Sequence, residues 1–408
     1  MKRFFFAVVL FFEVILTNVN IIYPMADVRT AVEEPTGLYG LSALLMDADT
    51  GRVLFEKDGY RPMPMASTTK ILTCLLALEV ADPEDVVEVS ELAASQPDVQ
   101  MNICEGERYR LIDLLYGLML ESYNDAAVAI AEHVCGSVEA FADLMNEKAA
   151  SIGCMDSHFV TPNGLDRSDE GGEHRTTARD LALILSYAIQ NKTFLSITQT
   201  RSYTIEELDG KRTAIANNHN ALLDSMEGAI SGKTGFTGRA GFCYAGAVQR
   251  DNRTLVAVTL ACGWPPHKNY KWQDMQKLFD YGFSNFQKME FHTSDIPFLQ
   301  DIPVPDGKTD SLSGCAMIRP AVKEESFEVL LREDESLTVT AELPDILEAP
   351  VQKGQIVGKI IYELKGERIK ELSVFAEDQV LKKDALWYLG QAERYFFVKN
   401  VSNLPECY

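Results

Sequence analysis

Three short motifs in this chain bring together the residue types that nucleophilic acyl transfer needs. Ser67 and Lys70 form a Ser-x-x-Lys pair, Ser122 and Asn124 a Ser-x-Asn element, and Lys233, Thr234 and Gly235 a Lys-Thr-Gly run. Each occurs once in the 408 residues. About one Ser-x-x-Lys pair is expected by chance in a chain of this length, so any single motif carries little weight. Their joint presence in this order is specific. Three residues along a helix, Lys70 stands over Ser67 on the same face, near enough to exchange a proton. Free N–H groups and the positive dipole end at a helix start favour a tetrahedral oxyanion. A lysine acts as a base only when neutral, and an apolar seat with a second cation nearby, Lys233, lowers its pKa. Ser122 is suited to relaying a proton to a leaving group, and the Asn124 amide to orienting a peptide. Lys233 and Thr234 offer a cation and a hydroxyl to a carboxylate. Gly235 lets an extended substrate lie close against a strand.

Taken singly, these residues have plainer readings. Ser67 is an N-cap as readily as a nucleophile, Lys70 a surface charge, and Asn124 with Asp125 a helix cap or turn. The stretch "SGKTG" is not a phosphate loop, because Glu227 stands where the Walker pattern requires glycine.

The elements that would carry the motifs follow from periodicity. "LSALLMDADTGRVLFEKD" alternates around an Asp-Thr-Gly turn and predicts a hairpin. From Ser67 to about Ala188 the pattern is helical, with Ser67 expected to start the first helix; "RLIDLLYGLML" has apolar residues at i, i+3, i+4 and i+7. "SHFVTPNGLD" is a loop, and "TTARDLALILSYAI" opens a capped helix. Strands return at "AISGKTG", "AGFCYAGAVQ" and "TLVAVTLACGW". The segment from Lys271 to Met289 predicts one long helix whose aromatic stripe is core packing. This mixture of antiparallel hairpins and helices is an α+β pattern. Beyond residue 291, short alternating strands predict a small all-β sandwich, followed by a helical tail.

Composition bounds the rest. Hydrophobic content of 46% and charged content of 24% are those of a globular protein, long enough for two domains. A net charge of −22 argues against a nucleic-acid partner. Eight cysteines and six histidines show no metal-ligand spacing, so no metal is expected, and most of the thiols are expected to be small buried groups. Lys2 and Arg3, the apolar run after them and Ala26 have the order of an export signal. The expected division is a signal peptide over 1–26, a catalytic domain over 27–290, a β-rich domain over 291–384 and a tail over 385–408. Leu386, Leu389, Ala392 and Phe396 give the tail an apolar stripe, suited equally to docking on the protein or to lying on a membrane surface.

With its three motifs, "TPNGL", "TTARDLA", "GKTGFTGRAGFC" and "APVQKGQIVGKI", the chain resembles the D-alanyl-D-alanine carboxypeptidase family, low-molecular-mass penicillin-binding proteins with an active-site serine. The resemblance implies a β-lactamase-like domain, a five-stranded antiparallel sheet between helices, followed by a β-rich domain. It implies that Ser67 is acylated, Lys70 is its base, and Ser122 and Asn124 form the second element. Lys233 and Thr234 would hold the substrate's terminal carboxylate, with Gly235 beside them in the substrate-binding strand, and the N–H groups of Ser67 and Phe236 the oxyanion. Peptidoglycan stem peptides would be the substrate, β-lactams covalent inhibitors, and no cofactor is implied. Other activities of the same fold are β-lactamase, D,D-transpeptidase and non-catalytic peptidoglycan binding; the Glu-x-x-Leu-Asn loop of class A β-lactamases is missing between the second and third motifs. Three residues depart from the family pattern. Tyr123 stands where glycine is frequent, a candidate to narrow the site, and Phe236 and Arg239 are less typical after Lys-Thr-Gly.

Overall fold

The computed structural model describes residues 21–22, 33–296 and 299–401. Apart from Ile21–Ile22, which pair with a strand of the second unit, the expected signal over 1–26 lies outside the described residues. The chain forms two compact units that divide between Phe286 and Gln287.

The first unit is built on five antiparallel strands. β1 (Ser42–Asp47) and β2 (Val53–Lys57) make the expected hairpin. Between them and the returning strands lie α1 (Lys70–Val80), α2 (Leu111–Leu120), α3 (Asn124–Cys135), α4 (Val138–Ile152) and α5 (Ala178–Ala188). β3 (Ala229–Thr237), β4 (Gly241–Arg250) and β5 (Arg253–Leu260) complete the sheet in the order β3-β4-β5-β1-β2. α6 (Tyr270–Asn285) closes the unit.

Every residue of β1 is buried, which fits a strand covered on both faces. On one face Met46 meets Ser186 of α5. On the other Leu45 pairs with Phe55, whose ring stacks edge-on against Tyr281 of α6 at 6.1 Å. Leu44, Leu45, Ile71, Leu114 and Leu118 are fully enclosed, each stabilising the fold by roughly 1.5–3 kcal/mol relative to exposure.

Two local expectations change. The helix expected from Lys271 to Met289 ends at Asn285, and Phe286–His292 is a strand. Ser67 does not begin an α-helix: it sits in a 3-10 turn, Ala66–Thr69, and α1 starts at Lys70. A hairpin of Ser202–Glu206 with Thr213–Asn217, turning at Asp209-Gly210, was not anticipated.

In the second unit β6 (Pro320–Val322), β7 (Leu337–Glu342), β8 (Ile356–Leu364) and β9 (Glu367–Ala376) form a sheet ordered β7-β8-β9-β6. Its inward side chains, among them Val339, Ile360, Tyr362 and Val374, make a separate core. α7 (Ala385–Val401) follows. Cys74, Cys154, Cys243 and Cys262 are buried, Cys104 and Cys315 are exposed, and these thiols are free.

Candidate active site

The turn that carries Ser67 is held from several sides. Ala66 has φ +49°, in the left-handed region, which turns the chain sharply before the nucleophile. Thr69 Oγ1 donates to the Ala66 carbonyl (2.9 Å) and lies 2.9 Å from His174 Nε2. His174 Nδ1 accepts from the Val160 amide (2.9 Å), so Nε2 carries the proton and donates to Thr69. Burial, with the neighbouring charges of His158 and Lys70, holds His174 neutral with a pKa pulled down to about 3. Gly164, at φ +86°, lies against the same turn; a Cβ there would stand 2.0 Å from the Ala66 oxygen.

From this turn Lys70 points inward, fully enclosed. Its Nζ lies 3.0 Å from Ser67 Oγ and donates to Asn124 Oδ1 (2.8 Å) and the Asn163 carbonyl (2.6 Å). Burial drives its pKa well below the ordinary lysine value; the Lys233 charge adds to this and Asp125 opposes it. A neutral amine has two N–H donors and one lone pair. Two of the three neighbours are carbonyl oxygens that only accept, so the lone pair is left for the Ser67 hydroxyl. Ser67 is thus the one neighbour able to give a proton to a neutral Lys70.

Ser122 sits between α2 and α3 at φ +69°, uncommon for a residue with a side chain. Its Oγ is buried and has no hydrogen-bond partner among the described residues. The Tyr123 ring is directed onto α2, where it fills the space beside Gly117. It is not among the residues that line the cleft. Asn124 also differs from expectation. Its oxygen takes Lys70 and its NH₂ donates to the Pro97 and Asp98 carbonyls (3.0 Å each), leaving no donor for a substrate peptide. Asn124 thus ties Lys70 to the chain at Pro97 and Asp98.

β3 lies directly against the Ser67 turn. A Cβ on Gly235 would stand 2.9 Å from the Ser67 nitrogen and 3.0 Å from that of Thr68, so only glycine permits this approach. Thr234, Gly235 and Phe236 line a cleft of about 550 Å³ together with Ser67, Ser122 and Trp272. Lys233 does not line it. It is 2% exposed, donates to the Thr234 carbonyl (3.1 Å), and is pulled down to about 7 by burial, against the opposing charge of Glu121. Phe236 is exposed and packs on Phe242 at 4.7 Å. Arg239 pairs with Glu173.

The three motifs, dispersed over the chain, therefore meet around one cleft. Sequence reading missed His174, whose only signal was a lone histidine before "RTTARDLA". It saw Asn163 as a loop residue and not as the third acceptor around Lys70. Among the described residues no cluster of acidic, histidine and cysteine side chains is suited to hold a metal ion.

Residues 29–263 match the family described as D-alanyl-D-alanine carboxypeptidase, and residues 292–382 match the C-terminal domain of penicillin-binding protein 5. The chain is 29% identical to D-alanyl-D-alanine carboxypeptidase DacF of Bacillus subtilis over 356 residues, covering 85% of this chain and 87% of that one. It is 35% identical to DacB2 of Mycobacterium tuberculosis over 246 residues, covering 59% and 81%. The crystal structure of D-alanyl-D-alanine carboxypeptidase from Mycobacterium tuberculosis superposes with a TM-score of 0.58 at 33% identity, covering 63% of this chain and 96% of that one. Penicillin-binding protein 5 from Haemophilus influenzae, at 24% identity, shares the fold over 86% of this chain and all of its own, with a TM-score of 0.66. With its catalytic unit matched almost throughout and its motifs gathered at one cleft, the chain belongs to the D-alanyl-D-alanine carboxypeptidase family.

Proposed function

We propose that this protein removes the terminal D-alanine from peptidoglycan stem pentapeptides through an acyl-enzyme on Ser67. The observation that carries the reading is the 3.0 Å contact between Ser67 Oγ and the enclosed Lys70 amine, whose pKa burial and Lys233 hold down. Ser67 Oγ attacks the carbonyl of the penultimate D-alanine and passes its proton to Lys70 Nζ. The oxyanion forms beside the Ser67 and Phe236 N–H groups. As the peptide bond breaks, the proton moves from Lys70 through Ser122 Oγ to the leaving amine, and D-alanine departs. Water, deprotonated by the same lysine, then attacks the ester and frees Ser67. Thr234 receives the substrate's terminal carboxylate.

This substrate lies outside the cytoplasmic membrane, which agrees with the export signal read at the N-terminus. α7 exposes Leu386, Leu389 and Phe396, which suits a helix lying on a membrane surface. Among the described residues no helix is long and apolar enough to cross a membrane. β-Lactams, which carry an amide and a carboxylate in the same relation, acylate the same serine.

The test is incubation with fluorescent penicillin beside a D-alanine release assay on a stem pentapeptide. A covalent band lost in Ser67→Ala, with D-alanine released by the wild type, is expected. A band that survives in Ser67→Ala sinks the nucleophile assignment, and rapid cephalosporin hydrolysis without D-alanine release makes the protein a β-lactamase.

A further inference from the structure

One end of the first unit's sheet carries a row of aromatic rings. Because the strands are antiparallel, the C-terminal ends of β3 and β5 and the N-terminal ends of β4 and β1 lie together there. Phe236, near the end of β3, is 43% exposed and packs on its cross-strand partner Phe242. The Phe242 amide donates to the Gly263 carbonyl (2.9 Å), just past β5. Trp264 comes next: its Nε1 donates to the Gly238 carbonyl (2.9 Å), its indole lies against Gly241, and it is 38% exposed. The His267 amide donates to the Trp264 carbonyl (2.8 Å), and the His267 ring stacks on Tyr270 at 4.6 Å. Tyr270 also stacks on Tyr39 at 3.8 Å, and Tyr39, just ahead of β1, is 42% exposed. Asn269, exposed between His267 and Tyr270, lies on the cleft wall as well, so row and cleft are continuous.

Single exposed rings are ordinary, whereas a continuous row of them marks a binding surface. This row offers π faces and hydroxyls and contributes no carboxylate, in a chain that has 60 acidic side chains. A pyranose ring suits it: the C–H groups of one sugar face meet the negative face of an aromatic ring, while the sugar hydroxyls stay in water.

The row also begins where the substrate leaves the cleft. With its terminal carboxylate at Thr234 and its scissile carbonyl at the Phe236 N–H, a stem peptide continues past Phe236 towards Thr237, the end of the sheet that bears the rings. The scissile carbonyl belongs to the fourth residue of the pentapeptide, and four extended residues reach at most about 14 Å. β3 and β1 are three strand spacings apart, which is also about 14 Å. The sugar that carries the peptide therefore falls within the span of the row.

We propose that this row, with Trp264 and Tyr39 as its main contacts, binds the acetylated amino-sugar strand of peptidoglycan, so that the protein holds glycan and stem peptide together. The direction of approach rests on the acyl-enzyme reading above.

The test is calorimetric titration of the full chain with strands of alternating N-acetylglucosamine and N-acetylmuramic acid freed of their peptides. Trp264→Ala and Tyr39→Ala are each expected to weaken binding by about 3- to 10-fold, the worth of one aromatic contact, and Trp264→Phe to keep most of it. In D-alanine release, the wild type is expected to show a lower KM for a disaccharide-linked pentapeptide than for the free pentapeptide. Tyr39→Ala is expected to lose that difference while its acylation by benzylpenicillin, which has no sugar, stays the same. A wild type that does not bind the strands, or equal binding by the wild type and both alanine variants, overturns the proposal. Glycan binding is read without acylation or turnover, so a wild type that releases no D-alanine counts against the hydrolase reading alone, and the titration still decides the role of the rings.

Discussion

Lys70 Nζ lies 3.0 Å from Ser67 Oγ, and its other two hydrogen-bond partners are carbonyl oxygens, of Asn124 and Asn163. No carboxylate bonds to it among the described residues, and only the unbonded charge of Asp125 favours its proton against the burial penalty. In the proposed mechanism this nucleophile and base form a unit whose chemistry depends on a lysine kept short of its usual charge.

Lys70→Arg preserves the positive charge and abolishes the base, since guanidinium does not deprotonate at working pH. Penicillin labelling is expected to fall on the order of 10³-fold, the range of one lost general base. Labelling at the wild-type rate would mean that another group accepts the Ser67 proton.

Ser122→Ala separates catalysis from stability. The buried Oγ has no hydrogen bond to lose, so its removal is expected to leave the folded protein unchanged or about 1 kcal/mol more stable. D-alanine release is expected to fall by about 10²- to 10⁴-fold as the proton relay disappears. A clear loss of stability in chemical denaturation would show that Ser122 is structural.

Gly235→Ala places a methyl group 2.9 Å from the Ser67 nitrogen. The turn and β3 must part, and acylation is expected to drop by about 10²-fold, the cost of a displacement near 1 Å at the reacting centre. A crystal structure of the variant should show the Ser67 turn moved; full activity with the turn unmoved would contradict the close packing.

His174 makes stability depend on acid. Its folded pKa is about 3 against about 6.5 unfolded, so between these values the unfolded chain binds a proton that the folded one does not. This contribution is neutral above pH 6.5 and lost as the pH falls towards 3, by about 1.4 kcal/mol per pH unit. Urea unfolding at pH 7 and pH 5 should give a steeper loss in the wild type than in His174→Gln. Parallel losses would place the acid sensitivity elsewhere.

Lys233 acts in the same direction over a higher pH range. With a folded pKa of about 7 against 10.5, it burdens the folded state fully below pH 7 and is relieved as the pH rises above it. Its loss also removes a charge that depresses Lys70. In Lys233→Met the acylation rate is therefore expected to need higher pH to reach its plateau, a shift visible in a pH–rate profile; an unshifted profile would uncouple the two lysines.

Much of this protein was legible before folding. The three motifs named the residues that meet at the cleft, because acyl transfer restricts residue types narrowly. Alternation and helical spacing located β1, β2, α2, α5 and the strands of the second unit, because these signals arise within a few neighbouring residues. What spacing could not reveal was where side chains turn. Ser67 was expected to begin a helix and instead sits in a 3-10 turn, bent at Ala66 and held by His174, 105 residues from Thr69. Asn124 was expected to face substrate and faces Lys70, and Tyr123 left the cleft for the gap beside Gly117. Lys271, expected only as the first residue of a long helix, is buried on the cleft wall. The sequence by itself determined which groups are present and which local elements carry them. Tertiary packing decided their partners, such as Lys70 with Asn124 and Asn163 at 54 and 93 residues' distance, because burial, pKa and hydrogen bonding depend on what the rest of the chain brings alongside.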